Sequence, residues 1–379
     1  MKVLVMGGVG AVGSVVCREL LETTNAEIVI GDNSFNKAKE FASSLKSKRA
    51  SAKFIDAGNK DEIVSSLEDI DLLANCTNVR DHHILLDSAI EAGVNYFDIT
   101  GSLHRKKLEL NEKAKKAAIT AILAIGASPG LTNVLTRHAA NELDQVEEIQ
   151  IDFIAYRPMS VSAGLLDTFL HQFFEEEKDR CYYKDGRYVP VPPFSGERTI
   201  YLPEPLGAQK TYFMAHAETS MLSRSFKDVK FVATRGTWPP NLMEAARTFA
   251  EYNLLSNKPI QIKKISLTPR EFLREHLLSN EKKYEEKIFG LFNYVEVVGV
   301  RDGKRLRKIN IVTHPEEWKF ESVQKVTGIN AAVGGAMLLR GEIIVKGVLT
   351  PENVIEPSLF IDRIKKRGLK VIEKNEYEL

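Results

Sequence analysis

A chain of 379 residues is longer than one ordinary domain and fits two or three. With 44% hydrophobic and 27% charged residues it is a soluble, globular type, and 52 Lys and Arg against 51 Asp and Glu leave no global field, so neither nucleic acid nor a membrane surface is an expected partner. Three scattered cysteines (Cys17, Cys76, Cys181), no apolar run near the ~20 residues of a spanning helix and no signal-peptide pattern point to the cytoplasm.

The first third alternates short apolar runs with helical periodicity. Strands are expected at 3–6, 27–30, 53–55, 70–74, 96–99 and 120–125, with helices at 11–22, 37–45, 61–67, 83–92 and 131–143. Such a beat implies right-handed crossovers and a parallel sheet covered on both faces, a Rossmann-type doubly wound α/β domain. After about residue 147 the pattern changes. Residues 148–155 alternate as a half-buried strand, and the proline-rich stretch 187–205 reads as a long surface excursion. Runs at 294–300 and 308–312 flank Arg301-Asp302-Gly303-Lys304, a hairpin signal, so this section is expected to be α+β with a mixed or antiparallel sheet. The tail offers an Ala/Gly-rich helix at 330–339, an amphipathic helix at 359–367 ending in the basic cluster Lys365-Lys366-Arg367, and a β-like run at 369–372.

Gly8-Val9-Gly10-Ala11-Val12-Gly13 follows a strand and opens a helix, the context in which this spacing signals a dinucleotide. Gly8 is assigned the tight turn, Gly10 the approach to the pyrophosphate, Gly13 close helix–strand packing, and the helix start the anion. Asp32 ends the second strand about twenty residues on, where a carboxylate bonds ribose hydroxyls and repels a 2′-phosphate. NAD is therefore the expected cofactor, with NADP possible through Asn33, Ser34 and Lys37. Asp56 and Ala57 at the third strand end suit the adenine, and Asn75-Cys76-Thr77-Asn78 at the fourth the nicotinamide ribose, against the plainer reading of turn capping. Cys76 is read as a packing residue rather than a nucleophile. His82-His83 lacks a third ligand at useful spacing, so no metal is expected.

Asp98, at the fifth strand end, is the leading acid/base or ammonium-binding residue, with helix capping an even alternative. His216 and Glu218, two apart, form a second proton-transfer pair if the segment is extended. Arg235 and Arg157 are the substrate carboxylate clamps, because a guanidinium fork matches both oxygens.

Taken together, the glycine loop, Tyr96-Phe97-Asp98, Gly126-Ala127-Ser128-Pro129-Gly130-Leu131-Thr132-Asn133, Val326-Thr327-Gly328 and Gly347-Val348-Leu349-Thr350-Pro351-Glu352 resemble the saccharopine dehydrogenase-like family. The resemblance implies a Rossmann domain (1–130 and 326–379) interrupted by an inserted substrate and dimerisation domain (131–325), a homodimer, and hydride transfer between nicotinamide and the carbon–nitrogen bond of an amino-acid or diamine substrate. Arg235-Gly236-Thr237-Trp238-Pro239 resembles lysine 6-dehydrogenases most, with saccharopine reductases and carboxynorspermidine dehydrogenases close behind. Ala155-Tyr156-Arg157-Pro158 departs from the Gly-Gly-Leu-Pro common in such enzymes. Two other classes stay open: a non-catalytic NAD-binding sensor or scaffold, and an NAD-using non-redox enzyme such as homospermidine-forming relatives.

Overall fold

The computed structural model describes residues 1–77, 82–159, 162–174, 179–280 and 288–377. Two compact units divide the chain, one of Met1–Asn141 with Gln324–Val371, the other of Glu142–Val323 with the residues from Ile372 on. The first segment of unit 1 runs β1 (Lys2–Met6), α1 (Ala11–Thr23), β2 (Glu27–Asp32), α2 (Phe35–Ser44), β3 (Ala50–Phe54), α3 (Lys60–Ser66), β4 (Leu72–Asn75), α4 (His82–Ala92), β5 (Asn95–Asp98), α5 (His104–Leu108), α6 (Asn111–Lys116), β6 (Thr120–Ile122) and α7 (Leu131–Ala140). Strands β4 and β6 are buried throughout, and β1 is buried from Val3 on, because helices cover both faces of a parallel sheet. Edge strand β3 is the exception: Ala-Ser-Ala-Lys-Phe leaves most of its side chains exposed.

Unit 2 follows with β7 (Gln145–Tyr156), α8 (Ala163–Gln172), β8 (Cys181–Lys184), β9 (Arg187–Pro190), β10 (Arg198–Tyr201), β11 (Ala208–Phe213), α9 (Glu218–Ser225), β12 (Phe231–Thr237), α10 (Pro240–Glu251), β13 (Ile260–Ile262), β14 (Ile265–Leu267), α11 (Pro269–Ser279), β15 (Gly290–Arg301) and β16 (Lys304–Thr313). The expected excursion at 187–205 thus contains two short strands. The turn between β15 and β16 holds Asp302 and Gly303 at φ +51° and +74°, as a tight hairpin of this sequence requires. Strand β7 sits centrally, parallel to β12 and antiparallel to β15, so its C-terminal half is buried on both faces rather than alternating.

The chain then returns to unit 1 with α12 (Ser322–Leu339), β17 (Gly347–Leu349), α13 (Pro351–Val354) and α14 (Pro357–Lys366), and ends in β18 (Lys370–Tyr377). Among the described residues the parallel sheet of unit 1 has seven strands in the order β17-β6-β5-β4-β1-β2-β3. Helix α12 packs close because it carries glycine where neighbours touch: a Cβ on Gly328 would lie 2.7 Å from Val15, and one on Gly335 2.6 Å from Phe97. The mixed sheet of unit 2 runs β10-β11-β12-β7-β15-β16-β18, with β8 and β9 attached beside β12. Two elements lie outside their expected segments. Helix α7 belongs to unit 1, where it packs on α13 and α14, and residues from Ile372 belong to unit 2, where β18 neighbours β16.

Candidate active site

Parallel strands of unit 1 bring their carboxyl ends into line. Met6 pairs with Gly31 and Asn75, and Asn75 with Asp98, so the loops after β1, β2, β4 and β5 share one edge of the sheet. The tight turn of the glycine loop falls on Gly7, at φ +71°, rather than on Gly8. Gly8 is required by packing instead, since a Cβ there would stand 2.8 Å from Ile30 Cγ2 and 3.0 Å from Val5 O. A Cβ on Gly13 would fall 2.2 Å from Gly7 O, whereas one on Gly10 would meet only that oxygen, at 3.1 Å, and otherwise open space. Gly10 caps α1 without a side chain, and no acid lies in the first turn. The first-turn amides, those of Ala11 and Val12 included, are therefore left to an external anion.

Asp32 holds its own loop by accepting the Ser34 N–H on Oδ1 (3.0 Å), and its Oδ2 has no partner among the described residues. Asn33 and Lys37 are exposed beside it. Asp56 is exposed and forms a local turn, accepting the Gly58 N–H at 2.9 Å, with Ala57 half-buried between them. On the other side of the loop a Cβ on Gly7 would meet Cys76 O at 3.0 Å, so the Cys76–Thr77 backbone lies against the glycine turn. Burial and the nearby Asp98 push the Cys76 thiol up to about 12, which suits packing and not nucleophilic attack. Asn78 lies outside the described residues, as does the side chain of His82.

Sequence reasoning missed what sits behind this edge. Asn75 Oδ1 accepts the N–H and hydroxyl of Thr77, its Nδ2 donates to Tyr96 OH (3.0 Å), and Tyr96 OH donates to Asp98 Oδ2 (3.0 Å). Lys107, fully buried, places its ammonium 2.5 Å from the same oxygen, while Asp98 Oδ1 takes the Ala124 N–H at 2.6 Å. Asp98 is thus neither a cap nor an accessible base: both of its oxygens are engaged inside unit 1. Its partner was hidden in Arg105-Lys106-Lys107, which looks like any solvated helix face.

The other expected residues lie in unit 2. His216 and Glu218 do meet, Nδ1 to Oε2 at 3.0 Å, but Glu218 opens α9 rather than extending a strand. The imidazole stacks on Phe153 (centroids 4.6 Å), which in turn meets Trp238 edge-on at 5.4 Å. Trp238 Nε1 is buried with no hydrogen-bond partner among the described residues. Arg235 is not a free clamp. Its Nε donates to Gly196 O and its Nη1 to Gln150 Oε1, it lies over the Phe213 ring at 4.3 Å, and burial lowers its pKa to about 10. Arg157 is likewise spent on backbone carbonyls of Pro158, Met159 and Leu165.

Residues 3–122 match the family model of the saccharopine dehydrogenase NADP binding domain, and residues 126–369 that of the saccharopine dehydrogenase C-terminal domain. The chain belongs to the saccharopine dehydrogenase family. As a member it is an NAD(P)-dependent dehydrogenase, and the uncapped α1 start with the open side of Gly10 fits a dinucleotide. It is 25% identical to the carboxyaminopropylagmatine dehydrogenase of Synechocystis sp., over 97% of this chain and 96% of that one. The carboxynorspermidine synthase of Vibrio cholerae is 23% identical, over 96% of this chain and 94% of that one. Among solved structures, the saccharopine dehydrogenase (L-Glu forming) of Saccharomyces cerevisiae covers 99% of both chains with a TM-score of 0.73 at 15% identity, a likeness of fold.

Two of the segments singled out in the sequence, Gly126–Asn133 and Gly347–Glu352, meet within unit 1. Gly130, at φ +122°, would put a Cβ 2.3 Å from Gly126 N; its own N–H donates to Asn133 Oδ1, whose Nδ2 donates to Glu352 Oε2 at 2.9 Å. Thr350 donates to the other Glu352 oxygen (2.7 Å), and Arg137 Nε to the Glu352 carbonyl. This buried network ties the Gly130–Asn133 segment to the Thr350–Glu352 segment, 219 residues further along between Asn133 and Glu352.

Proposed function

We propose that the protein is an NAD-preferring dehydrogenase acting on the carbon–nitrogen bond of an amino-carboxylate, either a lysine- or saccharopine-type amino acid or a carboxylated polyamine. The observation that carries the cofactor half is Asp32 at the end of β2, with one carboxylate oxygen unpartnered beside an uncapped glycine-loop helix. The substrate half rests on the relatives' own names, which describe amines bearing a carboxylate, over nearly the whole length of both chains.

A bound nicotinamide would supply the hydride acceptor. The protein's task is then to strip the amine of its proton, so that the nitrogen lone pair can form the C=N bond as the C–H bond delivers its hydride. His216, oriented by Glu218, is the side chain we assign to that proton. The buried indole N–H of Trp238 is free to bind a substrate acceptor atom. We further propose a cytoplasmic homodimer. Asp98, Arg235 and Arg157 are not assigned catalytic or clamp roles, because each is tied down within its own unit.

The test is a screen of lysine, saccharopine, carboxynorspermidine and plain diamines with NAD and NADP, following the absorbance of reduced nicotinamide. Turnover of a carboxylated amine with NAD, lost in His216→Phe with cofactor affinity intact, is the expected outcome. Bound cofactor that no amine reduces would overturn it in favour of a sensor.

A further inference from the structure

Unit 2 contains a cavity of about 410 Å³ that neither the cofactor loop nor the His216–Glu218 pair uses. It exists because the mixed sheet curls. In hydrogen-bond order β10 stands four strands from β15, yet Arg198 of β10 reaches Glu296 of β15, Nη2 to Oε2 at 2.5 Å. Its floor is Glu296, only 3% exposed, with Ile200 and Ile309 buried beside it. The mouth is formed by Tyr201, Lys374 and Arg307, of which Tyr201 is 70% exposed.

The charges inside are unevenly answered. Glu296 accepts from Gln150 Nε2 (3.2 Å), Tyr294 OH (3.2 Å) and Arg198, and Arg198 also faces Asp152 at 3.4 Å. Arg307 Nη1 is 3.3 Å from Glu376 Oε2, but its Nε is 4.0 Å from Glu296, beyond hydrogen-bond reach, and is buried with no partner. Lys374 has no counter-ion among the described residues. The lining therefore carries three cations against two anions, and its buried group without a partner, Arg307 Nε, is a donor. A cationic ligand would find Glu296 already saturated and Glu376 already facing Arg307, whereas an anion would find one free ammonium and one orphaned guanidinium N–H.

We infer that this cavity binds a small organic carboxylate, its anionic end on Lys374 and Arg307 Nε and its short aliphatic part against Ile200 and Ile309. A buried donor without an acceptor is costly, and a carboxylate in that position relieves it.

The test is thermal melting of the full chain with butyrate, butylammonium and inorganic phosphate at constant ionic strength. Butyrate should raise the melting temperature saturably, Lys374→Ala should weaken it by about fivefold or more, and Lys374→Arg should restore it, a salt-bridge-sized effect. Butylammonium should do nothing, and phosphate should act more weakly than butyrate. No saturable shift, an equal shift in Lys374→Ala, or phosphate matching butyrate would each overturn the inference.

Discussion

Replacing Lys107 by Met isolates the buried pair behind the cofactor crevice. Met keeps most of the stem volume while removing the ammonium, so Asp98 stays at zero exposure with the Tyr96 hydroxyl and the Ala124 N–H but no cation. Breaking a buried ion pair by deleting one partner costs about 3–5 kcal/mol, because the surviving charge is uncompensated. In a unit of this size each kcal/mol moves the melting temperature by roughly 2–4 °C, so a fall of about 6–20 °C is expected. Because two units need not unfold together, hydrogen exchange on peptides spanning 95–125 is the cleaner assay, read as faster exchange localised there. The double variant Lys107→Met with Asp98→Asn should lose less than the two single variants summed, by about 1–3 kcal/mol. A melting shift of under about 2 °C with unchanged exchange would show that the pair contributes little, and the reasoning would fail.

Three further outcomes follow from the geometry. Asp32→Ala should lose about tenfold or more of its preference for NAD over NADP, measured by titrating both reduced cofactors; equal binding by the wild type would refute the ribose role. Cys76, with its thiol pushed up to about 12, should resist iodoacetamide at neutral pH, where the thiol form dominates; rapid labelling by mass spectrometry would contradict that. His314, stacked between Phe292 and Trp318, has its pKa lowered by burial. The unfolded chain then binds the proton more readily, so His314 stabilises the fold above its unfolded value near 6.5 and this contribution is lost as pH falls below it. Denaturant midpoints from neutral to mildly acid pH should drop for the wild type and less for His314→Phe; parallel profiles would exclude the effect.

What the sequence made legible was local. The strand–helix beat of unit 1, the glycine loop and the Asp302-Gly303 turn each depend on residues a few positions apart, so periodicity and turn chemistry were enough. Strands β9 and β10 were not legible, because they are short, mostly exposed and separated by prolines, and only pairing with β8 and β11 makes them strands. The destination of β18 is decided by β16, more than fifty residues earlier in the chain, and nothing in its own exposed sequence points there. Arg235 looked like a ligand clamp because its acceptor Gln150 lies 85 residues away. His216 and Glu218 were found because contact between them is local, although Glu218 opens a helix and the segment is not an extended strand.

The late arrival of β17 has a bearing on how the chain matures. Strand β6 pairs with β17 through Thr120–Gly347, a partner made more than two hundred residues later. A ribosome that has synthesised all of β1–β6 has therefore made a parallel sheet with one side unprotected, and must complete the whole of residues 142–323 before the missing strand emerges. During that interval the open β6 edge is the surface on which a nascent chain would mis-pair. Slowed synthesis within residues 142–323 should accordingly lower the yield of folded protein more than slowing after residue 349 does, a cost set by chain order rather than by any contact of the finished molecule.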